Sequence, residues 1–381
     1  MRRRSFIASV AGCMFCSGLT PRCLGGEAHA QDAIDFVLPE GEKRISLVPA
    51  LHYEKLEDKR LICRLCPREC RVADQERGYC GVRENRDGDY FTLVHSRVCA
   101  VHVDPIEKKP LFHFLPGTTA LSLATAGCNM ECRFCQNWQI SQFRPEQVDS
   151  TEATPEGVLR AARHHRAQSI AYTYSEPTVF YEYMLDVARH TSRQGVGNVV
   201  ISNGYISEAP LLELAPHLAA YKVDLKAFTE KFYREQCSAH LDPVLHTLKV
   251  LKRIGLWTEI VVLIIPTLND DPASNRDMFK WIAGELGPDV PVHLSRFHPT
   301  YKIQNIPRTP VSTLERLHAI AQEEGLHYVY LGNVTGHKAE STYCPSCGHR
   351  VIERFGYIVN RVDLKQGCCI KCGESIPGIW S

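Results

Sequence analysis

The sequence has almost no net charge: 44 Lys and Arg stand against 43 Asp and Glu over 381 residues, a balance of +1. Such a balance argues against a nucleic-acid or anionic-lipid partner recognised through bulk charge. Long apolar runs are also missing. Residues 5–21 carry no charge, but they are rich in Gly, Ser and Cys and too few for a stable membrane span. There is no repeat of the solenoid type and no low-complexity linker. With 44% hydrophobic and 23% charged residues, the composition excludes a disordered, collagen-like or polytopic membrane chain. At ~150 residues per domain, the length allows two or three domains.

Cysteine is what the chain does not lack. It has 17, gathered in clusters. In a chain of this size, clustered Cys-x-x-Cys pairs point to metal sites, because disulfide frameworks belong to short secreted chains. Three of them, Cys13, Cys16 and Cys23, lie in residues 1–30, where Arg2-Arg3-Arg4-Ser5-Phe6-Ile7, an uncharged stretch and Ala28-His29-Ala30 form a twin-arginine-like signal layout. A tail without a role is the alternative. Without residues 1–30 the body carries 40 basic and 42 acidic residues, a net −2. The remaining blocks are a Cys-rich region over 31–105, a middle block over 106–335, and a C-terminal block over 336–381 holding the last five cysteines.

The middle block alternates apolar runs with helical patterns. Strands are expected at Ala120–Ala126, Ser169–Tyr174, Gly197–Ser202, Ala219–Lys226, Thr258–Ile265, Val290–Phe297 and His327–Leu331. Helices are expected after Thr154-Pro155-Glu156 and at Pro177–Arg193, Pro210–His217, Asp242–Ile254, Pro272–Leu286 and Val311–Glu324. This alternation predicts an α/β fold with a parallel sheet, closed or partly closed as a barrel, with its chemistry on the loops after the strands.

After the first of these strands comes Gly127-Cys128-Asn129-Met130-Glu131-Cys132-Arg133-Phe134-Cys135. Three thiolates on one short loop can grip three corners of a cubane cluster. No fourth cysteine follows nearby, so one iron stays open for substrate chemistry. The alternative is a zinc site completed by a remote His or Cys. The pattern Cys128-x3-Cys132-x-Phe134-Cys135 resembles the signature of the radical S-adenosylmethionine (SAM) enzymes, aromatic residue included. That resemblance covers the middle block and implies a partial (β/α) TIM-type barrel. It further implies a [4Fe-4S] cluster on Cys128, Cys132 and Cys135, SAM on the fourth iron, and reductive cleavage to methionine and a 5′-deoxyadenosyl radical that abstracts hydrogen from substrate.

Further strand ends fit the same resemblance. Tyr174-Ser175-Glu176-Pro177 is similar to the Gly-Gly-Glu-Pro that meets the SAM amino group, with Ser175 replacing a glycine; a plain turn glutamate is the alternative. Ile201-Ser202-Asn203-Gly204 stands where pyruvate formate-lyase-activating enzymes read Asp-Thr-Asn-Gly, and the missing Asp counts against a monovalent cation site. Val223-Asp224-Leu225-Lys226 is similar to the Asp-Leu-Lys of those activators. Ile265-Pro266 resembles an adenine contact, and His298 a ribose- or carboxylate-contacting histidine. Phe134, Glu176, Ser202, Asp224, Lys226 and His298 are therefore the implied cofactor-binding residues. More narrowly, Lys109–Gly117, Leu294–Pro299 and Tyr330–Val334 resemble the radical SAM member of the AmmeMemoRadiSam system, from about residue 55 onward.

Two Cys-x2-Cys-Gly knuckles, Cys344/Cys347 and Cys369/Cys372, stand twenty-one residues apart and predict a zinc-ribbon-like module, with Cys368 spare. A segment this short builds little core, so a metal would supply its folding energy. Cys63, Cys66, Cys70 and Cys80 form a second metal set, either zinc or a second iron–sulfur cluster, since spacing alone does not choose. Cys99 and Cys237 are expected as isolated buried residues. The leading expectation is an enzyme that uses SAM and a flavodoxin- or ferredoxin-type electron donor on an unidentified substrate. It either activates a partner by a glycyl radical or modifies a protein or small molecule. The rival is a non-catalytic iron–sulfur and zinc protein for electron transfer or partner binding. Activity is expected in the cytoplasm, where SAM and low-potential reductants are, while the N-terminus admits export.

Overall fold

The computed structural model describes residues 45–381, so the signal-like segment 1–30 lies outside the described residues. The centre is one sheet of eight strands in sequence order: β1 (Ala100–Pro105), β2 (Thr119–Ala124), β3 (Ser169–Tyr172), β4 (Gly197–Ser202), β5 (Ala220–Asp224), β6 (Trp257–Ile264), β7 (Val292–Arg296) and β8 (Val329–Gly332). The pairs from β2 to β8 are all parallel, whereas β1 runs antiparallel to β2, with Ala100 opposite Ala124 and Pro105 opposite Thr119. β1 and β8 are the two edges, so the sheet is an open arc and not a closed barrel.

Helices follow the strands as the periodicity predicts. Thr154 caps the helix Pro155–His164 by accepting from Gly157 N at 3.1 Å. Asp271 caps Pro272–Trp281 through Ser274 N at 2.8 Å. Both use a first-turn proline, whose missing N–H would have had no intrahelical partner anyway. The expected helix to Leu286 loosens into a wider turn over Ile282–Leu286. The helix Glu230–Cys237 is an addition, and so is β1 at the end of the Cys-rich region.

The strands are apolar on both faces, as parallel strands covered on both sides must be. Leu121, Ile170, Val200 and Tyr221 join the helices in the main core. The small residues Ala120, Ala171, Val199 and Ala220 face the other way, against Ile106, Leu111 and Phe114. That segment plugs one end of the arc's inner face. Toward the strand ends the same face carries Lys222, Asp224, Val261, Leu263, His293 and Ser295, spaced by two as one face of a strand requires.

Two small antiparallel modules flank the sheet. The N-terminal one contains the three strands Tyr53–Lys55, Leu61–Cys63 and Arg71–Val72. Its Leu61, Val72 and Tyr90 belong to the main core, and Arg83 pairs with Glu182 at 2.8 Å, both buried. The C-terminal module contains Thr342–Tyr343, Arg350–Phe355 and Ile358–Val362 and shares a core with Phe112, Tyr328 and Tyr330. There Arg354 lies 3.6 Å from Glu107, and both are buried. No described helix is long and apolar enough to cross a membrane.

Candidate active site

The loop after β2 turns on Gly127 at φ +104°. A Cβ there would lie 2.6 Å from Val82 Cγ1 and 3.2 Å from the Cys80 carbonyl, so only glycine lets the loop sit this close to the N-terminal module. The loop is pinned on its other side by Glu131 N and Arg133 N, which donate to the carbonyls of Cys237 and Gln236 at 3.0 and 2.9 Å. Held this way, Cys128, Cys132 and Cys135 line one wall of a cavity of about 840 Å³. No other cysteine among the described residues lines it.

Each of the three sulfurs has a hydrogen-bonding neighbour. Met130 N stands 3.4 Å from Cys128 Sγ, and Ser141 Oγ 3.2 Å from Cys135 Sγ. Cys132 is hydrogen-bonded to the thiol of Cys237, which holds it below its ordinary pKa against burial. Cys237 is thus buried as expected but not isolated: it sits behind Cys132, away from the cavity. Burial pushes Cys128 well up, and the nearby Glu176 carboxylate adds to that. Three convergent thiols with hydrogen-bonding neighbours and one side open to a cavity are the donor set that a cluster with one free iron requires.

Glu176 ends the turn after β3 and is buried. Its Oε1 accepts from Thr178 N at 3.0 Å, Thr178 Oγ1 at 2.7 Å and Ser202 Oγ at 2.7 Å, while Oε2 accepts only Asn203 N, at 2.8 Å. Burial raises its pKa, and these four bonds oppose the rise. A carboxylate has about four lone-pair sites, so Oε2 can take a further donor from the cavity. Ser202 braces Glu176 and does not line the cavity; its neighbour Asn203 does.

On β5 and just beyond it, Lys222, Asp224 and Lys226 alternate onto the cavity wall. Lys222 and Lys226 both donate to Asp224, the latter at 3.5 Å. Burial would raise the Asp224 pKa, but the two ammonium groups hold it below the ordinary value. Burial opposes the charge on Lys226, and Asp224 and Cys132 outweigh that, so it stays an ammonium. Its Nζ lies 5.9 Å from the Phe134 ring centre, a cation–π distance.

Lys109 and Tyr174 also line the cavity, with Asp104 buried against them. Asp104 accepts from Lys109 Nζ and Tyr174 OH, each at 2.6 Å, and Lys109 Nζ lies 3.2 Å from Tyr174 OH. Under the floor, Glu259 takes Phe112 N, His113 N and His293 Nε2 at 2.9, 2.8 and 2.7 Å. His293 reaches the cavity, whereas His298 stands outside it, half-buried beyond the end of β7. Lys109 belongs to the Lys109–Gly117 segment that resembles the family, but nothing in its spacing marks Asp104 as its partner.

The C-terminal thiols Cys344, Cys347, Cys369 and Cys372 lie within 4.8 Å of one another, with Cys344–Cys372 at 3.5 Å and Cys347–Cys369 at 3.8 Å. Four sulfurs on one ion at about 2.3 Å would stand ~3.8 Å apart, so the set suits a single tetrahedral metal. Gly348 and Gly373 follow each pair at φ +68° and +81°, relieving the turns. Cys368 points to the Gln366 carbonyl instead. Cys63, Cys66, Cys70 and Cys80 also converge, with Cys66 and Cys80 both pushed up to about 12 by burial and by the neighbouring thiols.

Comparisons with known proteins identify the superfamily. A family model of the radical SAM superfamily matches residues 122–277. An uncharacterised protein of Methanocaldococcus jannaschii is 45% identical over 330 residues, covering 86% of this chain and 98% of its own. A second from the same organism is 22% identical over 284 residues, covering 70% and 76%. Among solved structures, a radical SAM methyltransferase from Sphaerobacter thermophilus shares 16% identity over 79% of this chain and 80% of that one, with a TM-score of 0.46. A domain of a pyruvate-formate lyase-activating enzyme from Bacteroides vulgatus shares 14% over 44% and 100%, with a TM-score of 0.40. The matched span runs from β2 through the loop of three thiols to the helix after β6, and the chain belongs to the radical SAM superfamily.

Proposed function

We propose that the protein is an enzyme that cleaves SAM reductively and abstracts hydrogen from a substrate bound in the same cavity. Cys128, Cys132 and Cys135 would hold the cluster. Bound together, a reduced [4Fe-4S] cluster and SAM supply methionine and a 5′-deoxyadenosyl radical. Glu176 Oε2 would accept from the SAM ammonium. Lys226, kept charged by Asp224, would receive a carboxylate or hydroxyl oxygen, and Phe134 screens that ammonium from water. Ser202 then acts by orienting Glu176, and His298 has no contact to offer. Lys109 and Tyr174, held by Asp104, and His293 are left facing the remaining space, where a substrate would be oriented.

One observation carries this reading over electron transfer alone: the thiol-lined wall has no fourth cysteine and opens onto about 840 Å³ of space. That volume suits a cofactor with a further ligand. The C-terminal quartet would hold zinc, supported by its sulfur separations. An electron donor of the flavodoxin or ferredoxin type is required, and action in the cytoplasm follows from that need. The narrower likeness to the AmmeMemoRadiSam member names no substrate. The test is anaerobic loading of the full chain with iron and sulfide, reduction, addition of SAM, and quantification of 5′-deoxyadenosine beside Cys132→Ala. Product from the unsubstituted chain alone supports the proposal. Its absence from a fully loaded, reduced protein, with extracts supplied as substrate, favours the electron-transfer alternative.

A further inference from the structure

The N-terminal cysteines read like the C-terminal ones in sequence, but their sulfurs are arranged differently. Among the described residues, only Cys344, Cys347, Cys369 and Cys372 bring three or more thiols mutually within 4.8 Å. Cys63, Cys66, Cys70 and Cys80 face one another closely enough for their charges to repel, yet no three of them meet that limit. Four thiolates sharing one ion must crowd around it. Four thiolates on a cubane each bind a separate iron and stand farther apart.

The surroundings point to an occupant. Backbone N–H groups of Arg68, Tyr79 and Val82 are aimed at the sulfurs of Cys66, Cys70 and Cys80, the second at 3.4 Å. Tyr90, 1% exposed, has a buried hydroxyl with no hydrogen-bond partner, and it faces Cys63, Cys80 and Cys70. Arg83, also 1% exposed, leaves Nε and Nη1 unpartnered beside Cys63 and Cys80. Buried donors without acceptors are costly unless something anionic fills the space between them.

The set also abuts the central loop. The Cys80 carbonyl packs on Gly127, and Arg68, between Cys66 and Cys70, donates to the Asn129 carbonyl at 2.9 Å and to that of Ser238. Cys80 and Cys128 line one solvent-open cleft with Tyr79 and Arg144.

We propose that Cys63, Cys66, Cys70 and Cys80 hold a second [4Fe-4S] cluster, ligated by cysteine alone, that relays single electrons to the cluster on Cys128, Cys132 and Cys135. A cluster with no open iron transfers electrons and does no substrate chemistry. One electron arrives from a flavodoxin- or ferredoxin-type donor and one leaves for the central cluster; no bond changes and no proton moves. The site stands on its own residues, while the relay rests on the proposed function.

The test uses the full chain loaded anaerobically with iron and sulfide. Iron and zinc are counted per chain, and EPR spectra of the reduced protein are taken with and without SAM. The proposal expects about eight irons in the unsubstituted protein, and about four in Cys128→Ala/Cys132→Ala/Cys135→Ala with a spectrum indifferent to SAM. It expects about four in Cys66→Ser/Cys70→Ser, with a spectrum that SAM alters. Zinc in place of iron in the triple variant overturns it. Should that variant fail to fold, four irons in the unsubstituted protein overturn it equally. The unsubstituted protein's whole iron content kept by the triple variant, with none left in the double one, would sink the central-cluster reading and leave this site standing. For the relay, the ratio of donor-driven to dithionite-driven 5′-deoxyadenosine formation is expected to fall about tenfold in Cys66→Ser/Cys70→Ser. An unchanged ratio refutes it.

Discussion

The central triad and the C-terminal quartet use the same ligand atom to opposite ends. In the quartet, four sulfurs converge at contact distance, and two glycines at positive φ fold the knuckles around a single point. In the triad, three sulfurs stand along a cavity wall beside Ser141 and Asn203, and that wall opens onto the cavity. On the proposed reading, closure more than cysteine content would separate a structural metal from a reactive one.

The comparison breaks most completely at the triad. Cys132→Ala is expected to abolish SAM cleavage while leaving metal in the quartet, as read by product assay and metal analysis. If activity survives, the triad is not the reactive site. Cys347→Ala should do the reverse, removing the C-terminal metal and unfolding that module. Structural zinc sites bind with about 10–16 kcal/mol, so calorimetry should show a smaller unfolding enthalpy than in the unsubstituted protein. Iron content in that variant should be unchanged.

His113 joins the module to the sheet and sharpens the contrast through pH. Its Nδ1–H donates to the Pro377 carbonyl at 2.6 Å, so Nε2 accepts from Tyr330 OH at 2.5 Å. Burial holds its pKa down to about 4 from an ordinary 6.5. The unfolded chain therefore binds a proton between those values that the folded chain refuses. Stability from this residue is full above about pH 6.5 and declines as pH falls toward 4, by roughly 3 kcal/mol in all. Melting temperatures at pH 7.5 and 5 should differ less in His113→Gln than in the unsubstituted protein; an equal difference would dismiss His113 as the cause. The smallest effect is expected at Asp224→Asn. It removes the partner of Lys222 and Lys226, and weaker SAM binding by about 1.5–3 kcal/mol, seen as a raised KM, is the outcome to look for.

Much of this was legible in the chain because it is local. Cys128-x3-Cys132-x2-Cys135 and the two C-terminal knuckles are spacings along a few residues, and Glu176, Asp224 and Lys226 follow strands whose ends are marked by turns. What escaped depends on convergence across the fold. Glu259 and His293 sit on neighbouring strands, Asp104 meets Lys109 and Tyr174 from the antiparallel edge strand β1, and Cys237 reaches Cys132 from a helix the periodicity did not reveal. Ser202 and His298 were placed by analogy of position. Yet alternation along a strand sends successive side chains to opposite faces, and Asn203 faces the cavity where Ser202 does not. Sulfur separation in the two quartets has no counterpart in sequence at all.

The hairpin between Arg350–Phe355 and Ile358–Val362 lines the outer part of the cavity with Phe355, Tyr357 and Ile358, which are 56%, 48% and 63% exposed. Those side chains are carried by the C-terminal module, not by the sheet. The doorway and the thiol-lined wall thus come from separate stretches of chain, so a substitution in the hairpin is expected to change what enters without touching the sulfurs behind it.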